Sequence, residues 1–593
     1  MDATPAASGL PLRIADFSTL AEALDYAALG KTGYNYYTRG VKLYAKLPYA
    51  ELRRDAQALA RRLIDLGASR GSRVAIVADT DPDFMRFFYA CQYAGLIPVP
   101  LPASVHLGGR KAYVSQLRRL LSICQADIGM APKGFLPYLK EAAQDLKMRF
   151  LGSPQEFYDL PESSTHLQPS EPNEIAYLQY TSGSTRFPRG VMITQKAVLN
   201  NLFAIVKHGI HVRSEDRAVS WLPYYHDMGL VGLVLAPMAA QVSVDYLSTR
   251  DFAMRPRLWL TLMSQNKATV SVSPPFGYEL AARRVREKEV QNFDLSSWRV
   301  AGVGAEPIRT EPLDKFADLL APSGFDRHSF IPCYGMAECS LAVTFSSLGQ
   351  GIDVDHVDTD TLATEQRAIP LHPSQDRKTV RSTSFTNCGA PLPGYEVEIR
   401  NEQGEVLPER HCGTLYVRGP SVMSGYFGDL IATREVLSPD GWLNTGDLAY
   451  QVGKSIVITG REKDLIILNG RNIWPQDLEY LAEQQDEVRT GDTSSFSITD
   501  ANGEERAVMM VECRESDENK RADLRERIHC QIREEFGIDC LIELVPRNTL
   551  HRTTSGKLSR SGAQKGYLER IAAERSSGPT EDLYDATLRR RAV

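Results

Sequence analysis

Between residues 47 and 101 the chain alternates two rhythms. Leu52, Leu59, Leu63 and Leu66 recur at helical spacing on one face, and Gly67 offers a stop. The apolar run "VAIVA" at 74–78 then reads as a buried strand, a second helical pattern covers 85–93, and "LIPVPLP" follows as another strand. The alternation recurs at 113–131 and 195–240. It continues at 255–305 as helix "PRLWLTLMSQ", strand "TVSVSPP", helix "YELAARRVREK" and strand "WRVAGVGAE". Such βαβ succession predicts an α/β fold, with parallel sheets covered by helices on both faces.

From 384 onward the texture changes. Short strands, "YEVEIRN", "GTLYVRG" and "SIVITG", are separated by turns rich in Gly, Pro and Asn. Beyond "GREKDLIILNG" a smaller αβ unit follows, with strand "AVMMVECR" and helix "RADLRERIHCQIREEFG", so a domain boundary is expected near 462–464. The last stretch, 576–593, is expected to be a loosely ordered tail.

Composition narrows the function classes. With 593 residues, 43% of them apolar and 24% charged, the chain can build a large core. A net charge of −6 removes the global basic field that nucleic acid would need. The nine cysteines form no C-x-x-C pair, which argues for scattered reduced thiols and against a disulfide frame or a Cys-based zinc site. The N-terminus lacks the pattern of a secretory signal, so a cytoplasmic location is expected. The most apolar stretch, 231–242, is too short to span a bilayer and contains Pro237, so no stable membrane insertion is expected.

Candidate chemistry begins at "YTSGSTRFPRG", residues 180–190. The segment lies between apolar runs and reads as a tight strand–loop–strand feature. Thr181, Ser182, Ser184 and Thr185 supply hydroxyls, and Gly183 lets successive backbone N–H groups converge into a nest for anionic oxygens. No G-K-[ST] follows, so it is not a Walker loop; alone, it could equally be a polar surface turn. Further along stand "YGMAE" (334–338) in a loop, "NTGDLAY" with Asp447 in a turn, "GREKD" with Arg461 just after a strand, and "LHRTTSGKLSR" with Lys557. Singly, each is as well explained by a buried ion pair, a turn aspartate or a solvated lysine.

Together and in this order, these motifs resemble the adenylate-forming superfamily of acyl-CoA synthetases, luciferases and peptide-synthetase adenylation domains, over about residues 40–565. The resemblance implies a large N-terminal domain (1–461) of stacked, mostly parallel sheets with a β-barrel-like subdomain. It also implies a hinge (462–464) and a small mobile α+β C-terminal domain (465–575). ATP, Mg²⁺ and a carboxylic acid would be the reactants. Thr181, Ser182, Gly183, Ser184 and Thr185 match the phosphate loop, and Glu338 matches the magnesium ligand, with Thr185 nearby. Gly304, Ala305, Glu306 and Pro307, with Tyr334, Gly335, Met336 and Ala337, match the adenine slot. Asp447 and Arg461 match the ribose-holding groups, Lys463 the hinge, and Lys557 the lysine that reaches the carboxylate and α-phosphate. Two departures stand out: Arg186 where many relatives have Gly, and Arg189 where most have Lys.

The acid pocket is expected from 220–238 and 272–280. His226 would sit near the bound carboxylate or gate the pocket. Met228, Gly229, Gly232, Pro275, Phe276 and Tyr278 would line an apolar tunnel suited to a medium or long acyl chain. "YYHDMGL", "YGMAECSLAVTF", "NCGAPLPGYEVEIRN" and "KDLIILNGRNIWPQDLE" look like the fatty acyl-AMP ligase branch, and the long connection 345–385 resembles that branch's insertion. The resemblance implies transfer of the acyl group to the phosphopantetheine arm of a carrier protein in trans. A fatty acyl-CoA ligase and a non-catalytic nucleotide- or lipid-binding homologue are the alternatives.

Overall fold

The computed structural model describes residues 2–103, 109–181, 188–371, 381–468, 471–499, 505–553 and 558–577. The chain divides into two compact units between Glu462 and Lys463.

The larger unit is built on two sheets with parallel cores. The first has nine strands. Six run parallel through its middle, in the order Phe330–Gly335, Val300–Val303, Val270–Ser273, Arg217–Ser220, Ser243–Leu247 and Gly33–Tyr37. Antiparallel strands close both edges: Leu43–Pro48 on one side, Ala342–Phe345 and Ala390–Pro391 on the other. The second sheet is all parallel, in the order Ile97–Leu101, Arg73–Val77, Ala126–Met130 and Phe150–Gly152. The central strands are buried on both faces, as parallel strands are, and the polar residues among them, such as Arg217, Asp245 and Asn35, pair with one another. Helix Tyr49–Asp65 buries Leu52, Leu59 and Leu63, as the leucine spacing predicts. Helix Pro82–Ala94 starts where Asp81 caps the backbone N–H of Asp83 and stops at Gly95, whose φ of 64° suits a left-handed C-cap.

The β-rich stretch is an antiparallel meander of Glu396–Arg400, Gly413–Arg418, Leu443–Val452 and Ser455–Arg461. Three placements differ from the sequence reading. Tyr334 and Gly335 end a strand rather than opening a loop, Asp447 lies inside a strand rather than a turn, and Arg461 is a strand's last residue. The turn-like residues before Asp447 are accommodated without leaving the strand. Gly446 takes φ 68°, and its N–H donates to the Asn444 side-chain oxygen, which takes the place of a ladder bond. Within the long connection, strands Val354–Asp358 and Ser382–Thr386 pair antiparallel and flank helix Thr359–Glu365.

The smaller unit carries a three-stranded sheet. Thr493–Thr499 runs antiparallel to Glu505–Glu512, which is parallel to Cys540–Val545. Helix Glu518–Phe536 packs Leu524, Ile528 and Ile532 inward at four-residue steps. Helix Arg560–Ser577 extends into the expected tail, and 578–593 lie outside the described residues. No helix among the described residues is long and apolar enough to cross a membrane.

Candidate active site

Parallel strands deliver their carboxyl ends to one edge of a sheet, where ligands of open α/β folds bind. In the nine-stranded sheet, Ser220, Ser273, Val303 and Gly335 all end strands at that edge. Beyond them lie the segments that carry His226, Pro275, Gly304–Pro307 and Met336–Glu338. Strands Val300–Val303 and Phe330–Gly335 are neighbours, so the two segments expected to wall an adenine slot leave the sheet side by side.

Their backbones are specialised. A Cβ on Gly335 would lie 1.8 Å from the Leu341 carbonyl oxygen, which leaves room only for glycine. Ala305 sits at φ 72°, a left-handed conformation that costs a non-glycine residue energy and clusters at functional sites. Beside it, the Glu306 carboxylate accepts the backbone N–H of Phe276 at 2.9 Å, tying this loop to the start of helix Pro275–Arg284.

Asp447 is buried and engaged on both oxygens. The Tyr334 hydroxyl donates to Oδ2 at 2.7 Å, and Arg461 Nε donates to Oδ1 at 3.1 Å. Asp447 and Arg461 are register partners in adjacent antiparallel strands, so the pairing is built into the sheet. Burial, reinforced by the Asp447 charge, pushes the Tyr334 hydroxyl well above the ordinary phenol range and keeps it a donor.

Glu338 forms a second cluster. It is buried on the short 3₁₀ turn Ala337–Cys339 and accepts the Tyr426 hydroxyl at 2.9 Å. Burial raises its pKa above the ordinary carboxyl value, opposed by the Tyr426 hydrogen bond and the Arg461 charge, while Asp227 pushes the same way as burial. The Arg189 guanidinium stands 5.0 Å from the centre of the Tyr426 ring and 3.9 Å from the Glu435 carboxylate. Arg189, one of the two departures, therefore belongs to an arginine–tyrosine–glutamate chain in which its flat guanidinium faces a ring. Tyr426 was not picked out from the sequence. It lies 88 residues beyond Glu338, and no local motif marks it.

Strands Ile175–Tyr180 and Gly190–Thr194 pair antiparallel, with Tyr180 opposite Gly190, and Thr181 N–H donates to the Arg189 carbonyl at 3.2 Å. Of the expected phosphate loop, Thr181 is described; Ser182, Gly183, Ser184, Thr185 and Arg186 lie outside the described residues, as does Lys557.

His226 caps the helical turn Asp227–Leu230, with Nδ1 2.7 Å from the Asp227 carboxylate. The helix continues through a π-helical segment, Val231–Leu235, a distortion frequent at functional sites. Gly229 serves packing, since a Cβ there would lie 2.2 Å from the Pro223 carbonyl oxygen, and one on Gly232 would meet Leu341 at 3.3 Å. Met228 and Pro275 are buried and Phe276 is partly buried against Trp221. Tyr278 stands elsewhere. It is fully enclosed among Trp259, Trp298, Phe316 and Phe330 and donates to the Gly302 carbonyl, so it belongs to the aromatic core.

In the smaller unit a buried ion cluster also escaped the sequence reading. Arg560 donates to both oxygens of Glu479, at 2.8 and 2.7 Å, and reaches Asp464 at 3.4 Å. Burial alone would lower the guanidinium pKa, but the two carboxylates raise it, so the arginine stays charged.

The AMP-binding enzyme model matches residues 26–427, and the chain belongs to that family of ATP-dependent, acyl-adenylate-forming ligases. Within it, the chain falls among the fatty acyl-AMP ligases and acyl-CoA synthetases. A putative acyl-CoA synthetase of Caulobacter vibrioides is 45% identical over 95% of this chain and 98% of its own length. The medium-chain-fatty-acid–[acyl-carrier-protein] ligase JamA of Moorena producens is 30% identical, over 93% and 96%. A solved structure from work on fatty acyl-adenylate ligases of E. coli and L. pneumophila superposes with a TM-score of 0.90 at 48% identity, covering 95% of this chain and 100% of that one.

Proposed function

We propose that this chain activates a medium- or long-chain fatty acid as its acyl adenylate and passes the acyl group to the phosphopantetheine thiol of a carrier protein in trans. The observation that carries the reading is the meeting of Asp447, Tyr334 and Arg461 at the carboxyl edge of the main sheet, a ready acceptor for a ribose. Asp447, held by two donors, presents its carboxylate to the sugar hydroxyls, and Arg461 stands beside it. Gly304, Ala305, Glu306 and Pro307 face Tyr334, Gly335, Met336 and Ala337 across the base. Thr181 to Thr185 cradle the phosphates. Met228, Gly229, Gly232, Pro275 and Phe276 bound the acid, with His226 at its carboxylate.

In the first step a carboxylate oxygen attacks the α-phosphorus and pyrophosphate leaves; in the second the carrier thiol attacks the acyl carbonyl and AMP leaves. No general base is needed in the first step, because the acid is ionised at neutral pH. The buried Glu338 carboxylate is a hard oxygen donor of the kind Mg²⁺ takes. Glu338 and Thr185 would hold that ion, which when bound neutralises triphosphate charge.

The carrier as acceptor is supported by the relative JamA and by the long connection 345–385, where strands Val354–Asp358 and Ser382–Thr386 pair and helix Thr359–Glu365 follows the first. The second reading, a CoA ligase, is favoured by the description of the Caulobacter relative. Mass spectrometry of products from an acid panel, with CoA and a holo-carrier offered side by side, separates them. We expect acyl-carrier and free acyl-AMP; accumulation of acyl-CoA at a comparable rate gives the second reading instead. No acid-dependent ATP–pyrophosphate exchange at all would leave a binding protein without chemistry. In the same assay Lys463→Pro, by stiffening the proposed hinge, slows carrier loading more than adenylation; equal rates with the parent enzyme would place the hinge elsewhere.

Two variants probe the clusters. Asp447→Asn keeps an acceptor oxygen but loses the charge that strengthens the sugar contact. It raises KM for ATP about 10-fold, in line with about 1.5 kcal/mol for a charged hydrogen bond, measured by pyrophosphate release; an unchanged KM removes Asp447 from the ribose. Tyr426→Phe deletes the donor that favours the ionised form of Glu338. The Glu338 pKa rises further, so the acidic limb of the rate–pH profile moves to higher pH; a limb that stays in place separates Glu338 from the ionisation that limits the rate.

A further inference from the structure

Helix Glu518–Phe536 carries a donor cluster on the surface of the smaller unit that the acyl-transfer chemistry does not use. Glu526, His529 and Cys530 stand at i, i+3 and i+4, the spacings that place side chains on one helical face. One ligand atom from each lies within 4.8 Å of the others. The helix ends at Gly537, which takes φ 64° and turns the chain back, and Asp539 comes to 3.5 Å of His529 Nε2.

The Cys530–Glu526 edge of this cluster fits a tetrahedral ion. With Zn–S near 2.3 Å and Zn–O near 2.1 Å, tetrahedral angles put sulfur and oxygen ligands about 3.6 Å apart. Cys530 Sγ lies 3.4 Å from Glu526 Oε1; outside the three-residue group, His529 Nε2 contacts Asp539 Oδ1 at 3.5 Å, the carboxylate–imidazole pairing that orients many metal-binding histidines. The donors are a soft sulfur, a borderline imidazole and a hard carboxylate. That mixture suits Zn²⁺ and repels Mg²⁺, which asks for six oxygens.

We propose that Glu526, His529 and Cys530 form a surface site for a Zn²⁺-class divalent cation, with the Asp539 carboxylate beside His529 orienting its imidazole and tying the end of this helix to the turn leading into strand Cys540–Val545. Arg533, whose guanidinium comes to 4.0 Å of Asp539, competes for the same carboxylate and holds the affinity below that of a closed structural site. Cys530 is the one exposed thiol of the nine; seven are buried and Cys333 is partly buried. A thiolate–metal signal therefore reports on this site.

The test is a Co²⁺ titration of the full chain, reduced and stripped of metal beforehand. We expect a near-ultraviolet thiolate-to-cobalt band that saturates at a single equivalent, is removed by Zn²⁺ and survives excess Mg²⁺. Cys530→Ser abolishes the band. It lowers Zn²⁺ affinity by at least about 10-fold, no less than the loss of an outer-shell partner costs a metal site, and Asp539→Asn lowers it by about 10-fold. Acyl-adenylate formation by Cys530→Ser stays at the parent rate. The absence of a saturable band in the parent chain, or a Zn²⁺ affinity unchanged in both Cys530→Ser and His529→Gln, overturns the site and reduces the cluster to an S–H···O hydrogen bond beside a His–Asp pair. Neither outcome touches the adenylation reading, which has its own assay.

Discussion

Lys557→Ala slows acyl-adenylate formation by about 10²–10³, the cost of removing one donor aimed at charge that grows in a transition state. The expectation follows from the reaction rather than from a contact. An ionised acid must approach an anionic triphosphate, and the two repel each other. An ammonium at the meeting point stabilises the approach and then the charge developing on the phosphoryl oxygens, more in the transition state than in the separated reactants. Lys557 is the lysine of "TSGK", the motif matched to that role. Lys557→Arg recovers part of the rate, since it keeps the charge but spreads it over a fork. Acid-dependent ATP–pyrophosphate exchange reads the effect, and transfer from preformed acyl-AMP serves as the control for folding. Exchange at the parent rate in Lys557→Ala removes this lysine from the first step.

The parts legible in the sequence were those set by local periodicity. The leucine steps of Tyr49–Asp65 and the apolar run at 74–78 are properties of a few consecutive residues, and the fold places them in a helix and in strand Arg73–Val77. Asp447 and Arg461 were readable as a pair by motif, yet their contact arises from register between two strands, one of which read as a turn at Asp447 and the other as ending before Arg461. What could not be read were partners set by long-range closure. Tyr426 reaches Glu338 across 88 residues. Arg560 reaches Glu479 across 81. A tyrosine in "MSGYFG" or an arginine in "KLSR" gives no hint of being half of a buried pair, because the partner exists only after the sheet has formed. Tyr278 shows the reverse: neighbours in sequence suggested a pocket wall, and tertiary packing placed its ring in the aromatic core.

Arg560→Met destabilises the smaller unit by about 3 kcal/mol, the low end of the range for breaking one side of a buried ion pair. The low end applies because the arginine side chain is 22% exposed while its partner Glu479 is 6% exposed. The penalty lies in what remains. Glu479 keeps the backbone N–H of Ser495 as a donor but loses both guanidinium bonds, and a carboxylate in that setting is poorly solvated. Asp464, the residue after Lys463, loses its contact at the same time. Hydrogen exchange of peptides from Pro475–Glu483 and Thr493–Thr499 reads the change, where about 3 kcal/mol corresponds to roughly 10²-fold faster exchange through unfolding. The double variant Arg560→Met with Glu479→Met separates charge from packing. With both charges gone and two apolar chains in their place, protection returns toward the parent value, because the stranded carboxylate and not the missing pair caused the loss. Exchange in the double variant as fast as in Arg560→Met alone would show instead that the guanidinium acts through its packing and its bond to Asp464.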